Sequence, residues 1–511
     1  MLRVAFLFLT CCIFAVGCRA PVRAALAEVD ESKIADEIQE SKTRKPYFIA
    51  SGDIAAFRDA YRSRFGVEPV FTARKGNVTV VLLNNDEDKE SSLAVFKPRS
   101  VGKYPPFIYF DETYEERLQR GFLAVDDLMA GYKDPMLNEA LLAGVVQAYP
   151  RYAKLHIIGT TAFGRNMLAL ELTDFRVQGK KIPLLFSGAM HGNELTATEH
   201  CYHIISEILR NIAQYETQLG RVSLWIVPIV NPDGNYLFWH HSGLMGRKNA
   251  VSGPGQNQDS PMRGVDLNRN FPFKWNSGHK KASSEDPNSV YYRGASPGSE
   301  KETRAMMQLA GRERFLYSIS FHAVSGKILV PYTIENVRNP VPDYAMAFAR
   351  GIGPKIRHHN PKRGFRVVKN IYPVDGTDQD YYYFKYGTIA YIVESSYRNC
   401  EYRYVPYYLE GYKPLWEAVI SDYETNLKFA LRVTNKSGEP VQATIRFSDE
   451  AFYEGESRAT NPADGVFIRL TKNSQPVEVT VSAPGYVTQH LDLAPQGVGY
   501  PYFTPVILDS N

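Results

Sequence analysis

The sequence predicts an α/β fold: a mixed, largely parallel sheet with helices on both faces, joined to a C-terminal antiparallel β-sandwich and preceded by a small N-terminal α+β segment. Three observations carry this expectation. Between Pro135 and Tyr423, short apolar runs alternate with stretches whose apolar residues fall on one helix face, the pattern of buried strands covered by helices. From about Leu427 the apolar period drops to two, with turn residues between the runs, as in a small sandwich. A chain of 511 residues is also too long for one ordinary core, so about two to four domains are expected.

Taken in order, residues 1–24 read as a signal peptide. Arg3 precedes an apolar run over residues 4–16 that is too short to span a bilayer. Ala15-Val16-Gly17-Cys18 resembles a bacterial lipobox, in which Cys18 would be lipidated and become the mature N-terminus. Ordinary cleavage after Ala20 or Ala24 is the alternative. Either reading predicts export, as a periplasmic or outer-membrane-anchored lipoprotein of a Gram-negative bacterium or, second, as a secreted protein. With Cys11, Cys12 and Cys18 set aside, Cys201 and Cys400 remain, to pair or to stay buried as thiols.

Residues 25–134 form an accessory segment. A polar, helical-looking lead gives way to apolar residues at helical spacing over 54–61, then to a strand over Val78 to Leu83 ended by Asn84-Asn85-Asp86. It carries no chemistry, so a packing domain is expected, with an inhibitory propeptide-like domain as the sharper alternative. Leu137, Leu141, Leu142, Val145 and Val146 then mark a helix face, and residues 156–159 and 167–172 mark strands. A strand ending at Phe186, a helix over Leu195 to Arg210 and a strand over 224–230 follow. The polar, glycine-rich insertions 249–264 and 276–299 are long for a compact domain and suit the rim of a site. Strands over 315–321 and 388–393 and a helix over 415–423 close this unit. In the last part Leu427, Phe429, Leu431 and Val433 alternate, as do Val441, Ala443, Ile445 and Phe447, and then Val477, Val479 and Val481.

Composition excludes two classes. With 44% apolar and 22% charged residues, the chain is neither disordered nor membrane-spanning. A net charge of +4 gives no argument for nucleic acid, and none is expected as a partner.

The chemistry gathers at the ends of the predicted strands, where open α/β sheets carry their sites. In FSGAMHGNELTATE, from Phe186 to Glu199, His191 and Glu194 stand three apart where a strand gives way to a helix. An imidazole and a carboxylate held side by side suit Zn²⁺, although a surface histidine beside a helix-capping glutamate would read the same. His322 ends another apolar run and could complete the set or be an ordinary strand-edge histidine. Glu199 and His203, four apart on the next helix, are a weaker rival pair. Glu394 closes the apolar residues 389–393, where an acid without a task would be costly. It suits a general base or an ion pair with a neighbour such as Arg398. In Asp266-Leu267-Asn268-Arg269-Asn270, Asn268 and Arg269 can grip a free carboxylate through an amide and a two-pronged guanidinium bond. Asp266 could accept the second ring N–H of a ligating histidine. Arg247, following Asn231-Pro232-Asp233-Gly234, offers a cation to an oxyanion.

Together with Tyr372, which lies 22 positions before Glu394, these motifs resemble the zinc metallocarboxypeptidase family of carboxypeptidases A and B, over about residues 135–423. The resemblance implies one Zn²⁺ held by His191, Glu194 and His322, with Glu394 activating water and Arg247 stabilising the oxyanion. It further implies that Asn268 and Arg269 bind the substrate's terminal carboxylate under a mobile flap bearing Tyr372. His191-Gly192-Asn193-Glu194 and Asp378-Gln379-Asp380-Tyr381 are similar to the carboxypeptidase D, E and N branch, whose members carry a transthyretin-like sandwich after the catalytic domain. That likeness implies a catalytic domain over 135–425, a transthyretin-like sandwich over 426–511, and Gln379 in the substrate pocket. Branch members that remove Lys or Arg place an acid soon after the third ligand, where this chain has Thr333. The expected substrate is a peptide cut at its C-terminal bond or, given the lipobox, a peptidoglycan stem peptide with a polar or zwitterionic side chain such as diaminopimelate. A catalytically inactive binding protein on the same fold is the alternative from another class, and the sequence sets no oligomeric state.

Overall fold

The computed structural model describes residues 125–511, apart from 130, 241–244, 252, 254, 257–259, 261, 359–362, 370 and 401. Before residue 125 it describes the backbone of three strands, β1 (Lys45–Ala50), β2 (Phe71–Lys75) and β3 (Val78–Leu83), which form an antiparallel sheet in the order β1-β3-β2. The predicted signal, Cys18 and the helical stretches of the accessory segment lie outside the described residues.

The central sheet takes up β4 (Ala153–Thr160), β5 (Asn166–Leu172), β6 (Ile182–Ser187), β7 (Val222–Val227), β8 (Tyr317–Ala323), β9 (Lys327–Leu329), β10 (Arg366–Val368) and β11 (Ile389–Ser395). Their order is β10-β9-β11-β8-β6-β7-β5-β4. The four middle strands β11, β8, β6 and β7 run parallel, while β5 is antiparallel to β7 and to β4, and β9 is antiparallel to β11. Strands β6, β7 and β8 are buried at every position. A strand shielded on alternating sides is covered on both faces; β6 accordingly reads as an apolar run, whereas β8 alternates and buries Ser318, Ser320 and His322 on one of its faces. In β11 every residue is buried except Glu394. The chain passes from β6 to β7 on one side and later to β8 on the other, so β6 and β8 flank the switch point at which open sheets leave a crevice at their carboxyl ends.

Helix α1 (Pro135–Ala148) starts with Pro135 in its first turn and with Asp134 capping Leu137 N–H at 2.8 Å. Helix α2 (Leu195–Arg210) follows β6, α3 (Pro232–His240) follows β7, α4 (Asp378–Tyr386) precedes β11, and α5 (Lys413–Thr425) closes the unit. Two boundaries differ from expectation. The strand predicted over 224–230 is Val222–Val227, because the chain turns away at Pro228 into the loop that carries Asn231. The core does not begin at residue 135: Leu128 and Tyr132 are buried in it, and Lys133 and Asp134 are equally enclosed. Both insertions are irregular among the described residues, with one short helical turn, Leu267–Arg269, between them.

The C-terminal unit pairs a three-stranded sheet of β12 (Leu427–Asn435), β15 (Val466–Thr471) and β18 (Thr504–Leu508) with a four-stranded sheet. The latter holds β13 (Thr444–Phe447), β14 (Arg458–Ala459), β16 (Val477–Ser482) and β17 (Gln489–Leu493). It has a core of its own around Phe429, Leu431, Ile445, Val479 and Leu508. The antiparallel expectation holds except at β18, which lies parallel to β12. The chain returns to β12 by a long connection after β17, and such a connection can bring a strand back in either direction.

Candidate metal centre

His191 and Glu194 sit beyond the end of β6, and His322 is the sixth residue of β8, next to it in the sheet. Their donor atoms converge. His191 Nδ1 lies 3.1 Å from Glu194 Oε1 and 3.2 Å from His322 Nδ1, and His322 Nδ1 lies 3.2 Å from Glu194 Oε2. All three side chains are buried. Metal–nitrogen bonds of about 2.0–2.1 Å in a tetrahedron place donors about 3.3–3.4 Å apart, so the observed spacing fits one small cation with a further position open. The far ring nitrogens agree. His191 Nε2 faces Asp266 Oδ1 at 3.2 Å and His322 Nε2 faces Ser320 Oγ at 3.2 Å, which puts the ring protons on Nε2 and the lone pairs on the converging Nδ1 atoms. Ser320 in turn donates to Asp378.

Local structure frees these groups for the task. Glu194 occupies the position before the first turn of α2 yet caps nothing. The orphan Leu195 N–H is instead taken by Asn399 Oδ1 at 2.9 Å, while Asn399 Nδ2 holds Asn193 O at 2.9 Å. Between the ligands, Gly192 packs so tightly on the start of α3 that a Cβ would stand 2.2 Å from Asn235 N, so no larger residue fits. Asn235 Nδ2 binds Gly192 O at 2.7 Å, and Asn231 Nδ2 reaches both Met190 O and Arg247 O. The Asn231-Pro232-Asp233-Gly234 loop therefore fixes the ligand loop and Arg247 together.

The remaining predicted residues surround this centre. Glu394 is the direct neighbour of His322 in the β11–β8 register. Burial, and next to it the charge of Glu194, push its carboxyl above the ordinary range. Arg398 does not take Glu394 as its hydrogen-bond partner; it bonds Glu194 Oε1 at 3.3 Å and the carbonyl of Ala323. Arg247 donates to Asp266 Oδ2 at 2.8 Å and lies 3.8 Å from Glu194. Burial acts to raise the Asp266 carboxyl, but Arg247, Arg269 and His191 outweigh it and hold it well below the usual range. Arg269 is buried, with Nε on Ala282 O at 2.9 Å and Nη2 on Tyr372 Oη at 3.3 Å. Asn268 Oδ1 accepts the Asp378 N–H at 3.1 Å, which leaves the NH₂ end of that amide for an incoming carboxylate. Gln379 is buried, and neither of its amide atoms has a partner among the described residues. Thr333 gives both its N–H and its hydroxyl to Asp380, at 2.9 and 2.8 Å.

The rival pair is drawn elsewhere. Glu199 binds Lys133 and Tyr402, and His203 faces Glu410 at 3.2 Å. His203, Glu207 and Glu410 do gather as a second cluster, but Lys413 lies 2.8 Å from Glu207 and already supplies its cation. Cys201 is a buried free thiol, so the pair with Cys400 is not formed. Sequence reasoning missed Ser320, Asn399 and the outer-sphere part played by Asp378. Their only signal was proximity to ligands, and Asn399 lies 206 positions from the residue it holds.

The fold and these donors define a mononuclear metal protein of the α/β class, with a His₂Glu set beside a buried arginine and asparagine. The chain belongs to the zinc carboxypeptidase family, whose model matches residues 138–417. Zn²⁺ is that family's metal, and the donor set and spacing found here fit it. The chain is 29% identical over 263 residues to the metallocarboxypeptidase A of Trichophyton rubrum, covering 49% of this chain and 59% of that protein. It is 26% identical over 282 residues to the mast cell carboxypeptidase A of Homo sapiens, covering 53% and 65%. The match thus spans less than two thirds of these relatives. The fold is shared with a crystal structure of thrombin activatable fibrinolysis inhibitor, at a TM-score of 0.50 and 17% identity over 74% of this chain and 99% of that one.

Proposed function

We propose that this chain is an exported zinc carboxypeptidase that hydrolyses the C-terminal peptide bond of peptides. One observation carries the reading. Asn268 and Arg269, groups suited to a terminal carboxylate, stand beside the metal ligands through Asp266, which touches His191, Arg247 and the Asn268 N–H at once. A clamp built onto the metal centre in this way limits cleavage to a chain end. Zn²⁺ bound there supplies a Lewis acid and a coordinated water with its pKa lowered to about 7. Glu394 takes the proton of the attacking water and returns it to the departing amine, a role suited to a carboxyl raised above its ordinary range. Arg247 faces the carbonyl oxygen on which charge builds, and Tyr372, at 39% exposed, closes over the carboxylate from the rim. Replacing Glu394 by Gln should leave zinc content unchanged and lower kcat by a factor on the order of 10² to 10⁴. Unchanged turnover in a zinc-loaded variant would overturn the assignment. A binding protein on this fold would show no chelator-sensitive hydrolysis in the native chain either.

Peptidoglycan stem peptides form a second substrate class, favoured by the pocket. Asp380 is committed to Thr333 and sits where burial pushes its carboxyl up to about 7, so it is a poor partner for a basic side chain. Gln379 retains a donor and an acceptor for a side chain that is itself both. Digestion of a C-terminally varied peptide library beside purified muropeptides separates the two classes. Export and a lipid anchor at Cys18 belong to the same proposal, as does a transthyretin-like identity for residues 426–511. Cys18→Ser should move the protein from the membrane fraction to the soluble one, and a variant that stays in the membrane fraction would remove the anchor from the reading.

A further inference from the structure

We propose that Tyr291, in the second insertion, is a positioning residue that pre-orders the two arginines of the site for a substrate bearing a free carboxylate. The proposal rests on the carboxypeptidase reading above. The Tyr291 ring lies 5.3 Å from the Arg269 guanidinium and 5.9 Å from that of Arg247, and its centroid is 6.3 Å from that of Tyr372. One aromatic ring thus lies within cation–π range of both cations. Arg269 and Arg247 reach the site from different segments, and Asp266 is the other group that touches both. Arg269 also bonds Ala282 O, Asn268 O and Tyr372 Oη, whereas Arg247 has Asp266 as its side-chain hydrogen-bond acceptor among the described residues and can still swing about that contact. A ring whose negative face lies against the guanidinium removes that freedom without consuming an N–H donor. The donors stay directed at the position where the carboxylate of the substrate arrives.

The loop is built to hold the ring there. Tyr292 O accepts the Asp266 N–H at 2.9 Å, which ties the residue next to Tyr291 to the residue behind His191. Lys248, itself buried, donates to Pro287 O at 3.1 Å and Ser289 O at 2.8 Å, and Gln256 Nε2 adds a bond to Pro287 O at 2.8 Å. Arg269 Nε fastens the opposite arm of the insertion through Ala282 O. Tyr291 itself remains 38% exposed, although an anchored loop could have buried its ring. A ring left open to solvent beside the buried Arg269 and the half-buried Arg247 is placed for an incoming ligand, not for the core.

The test uses the zinc-loaded full chain carrying Glu394→Gln, so that binding is read without turnover, with a pentapeptide ending in a free carboxylate and its C-terminally amidated counterpart as probes. Tyr291→Ala should weaken the free peptide about tenfold, the effect expected of roughly one cation–π contact with each arginine, and the amidated peptide less than twofold. Tyr291→Phe should restore the free-peptide affinity. Tyr291→Leu, which keeps bulk but has no π face, should behave like the alanine variant. Equal losses on both peptides, no loss on either, or recovery by leucine would each overturn the proposal. Failure of the carboxypeptidase reading shows itself separately, as absence of hydrolysis by the native chain.

Discussion

At the scale of single residues, the site works by sharing a few buried carboxylates among several partners. Asp266 is the clearest case, since one carboxylate orients His191, holds Arg247 and caps the turn that carries Asn268. Asp380 presents the opposite arrangement, an acid buried against the neutral donors of Thr333 and, among the described residues, in no ion pair. Burial pushes it up to about 7 from the ordinary 3.8. Between those two values the folded chain keeps a proton that the unfolded chain releases, so this group's stabilising contribution is full below about pH 4 and is lost as pH rises through 7. Asp380→Asn cannot titrate, and its amide oxygen can still accept both Thr333 bonds. The melting temperature of the variant should therefore fall less than that of the native protein between pH 5 and pH 7.5, as scanning calorimetry would show. Parallel curves would mean that Asp380 is ionised throughout.

At the scale of elements, helix α2 joins the metal ligands to the segment that enters the domain. Lys133 and Glu199 are both fully buried and paired, with Tyr402 Oη 2.6 Å from the carboxylate and the Tyr202 ring 4.4 Å from the ammonium. Removing one partner strands the other charge in the core, so Glu199→Ala should cost about 3–5 kcal/mol in urea unfolding, whereas Lys133→Met with Glu199→Leu should cost much less. Equal losses would show that the pair contributes through packing alone. This pair also shows what was legible in sequence. Periodicity gave α2 its full extent, Leu195 to Arg210, because the apolar face and the ligand loop mark both ends. It placed the four parallel strands because each carries enough apolar residues to mark a covered segment, in a run in β6 and at alternate positions in β8. It could not show that Glu199 pairs with a lysine 66 positions earlier, nor that the core begins before residue 135. Those facts arise from tertiary packing and leave no local period. The candidate ligands and Glu394 stood out for another reason, since each is an ionisable residue near the end of an apolar run, where burial demands a purpose.

At the scale of the whole molecule, the C-terminal sandwich reaches the Tyr332-Thr333 segment that binds Asp380, next to Gln379. Its Glu456, buried, accepts the Tyr332 hydroxyl at 2.7 Å and the Glu454 N–H at 2.8 Å. Tyr332 stacks on Phe273 at 4.8 Å and directly precedes Thr333, the partner of Asp380. Other contacts between the units are as direct: Tyr500 Oη binds Lys180 O just before β6, and Leu470 of the sandwich is buried in the core of the larger unit. A sandwich that served only as a separate binding module would not need a buried carboxylate bonded to Tyr332 of the larger unit. Glu456→Ala leaves the Tyr332 hydroxyl buried without its acceptor, at a cost of about 1–3 kcal/mol, and lets the Tyr332-Thr333 segment shift. Substrate fit should suffer while the metal centre, built on β6 and β8, stays intact. The expected outcome is a higher KM with zinc content unchanged and kcat little affected. A fall in kcat with KM unchanged would instead mean that the sandwich acts on the metal centre and not on the pocket.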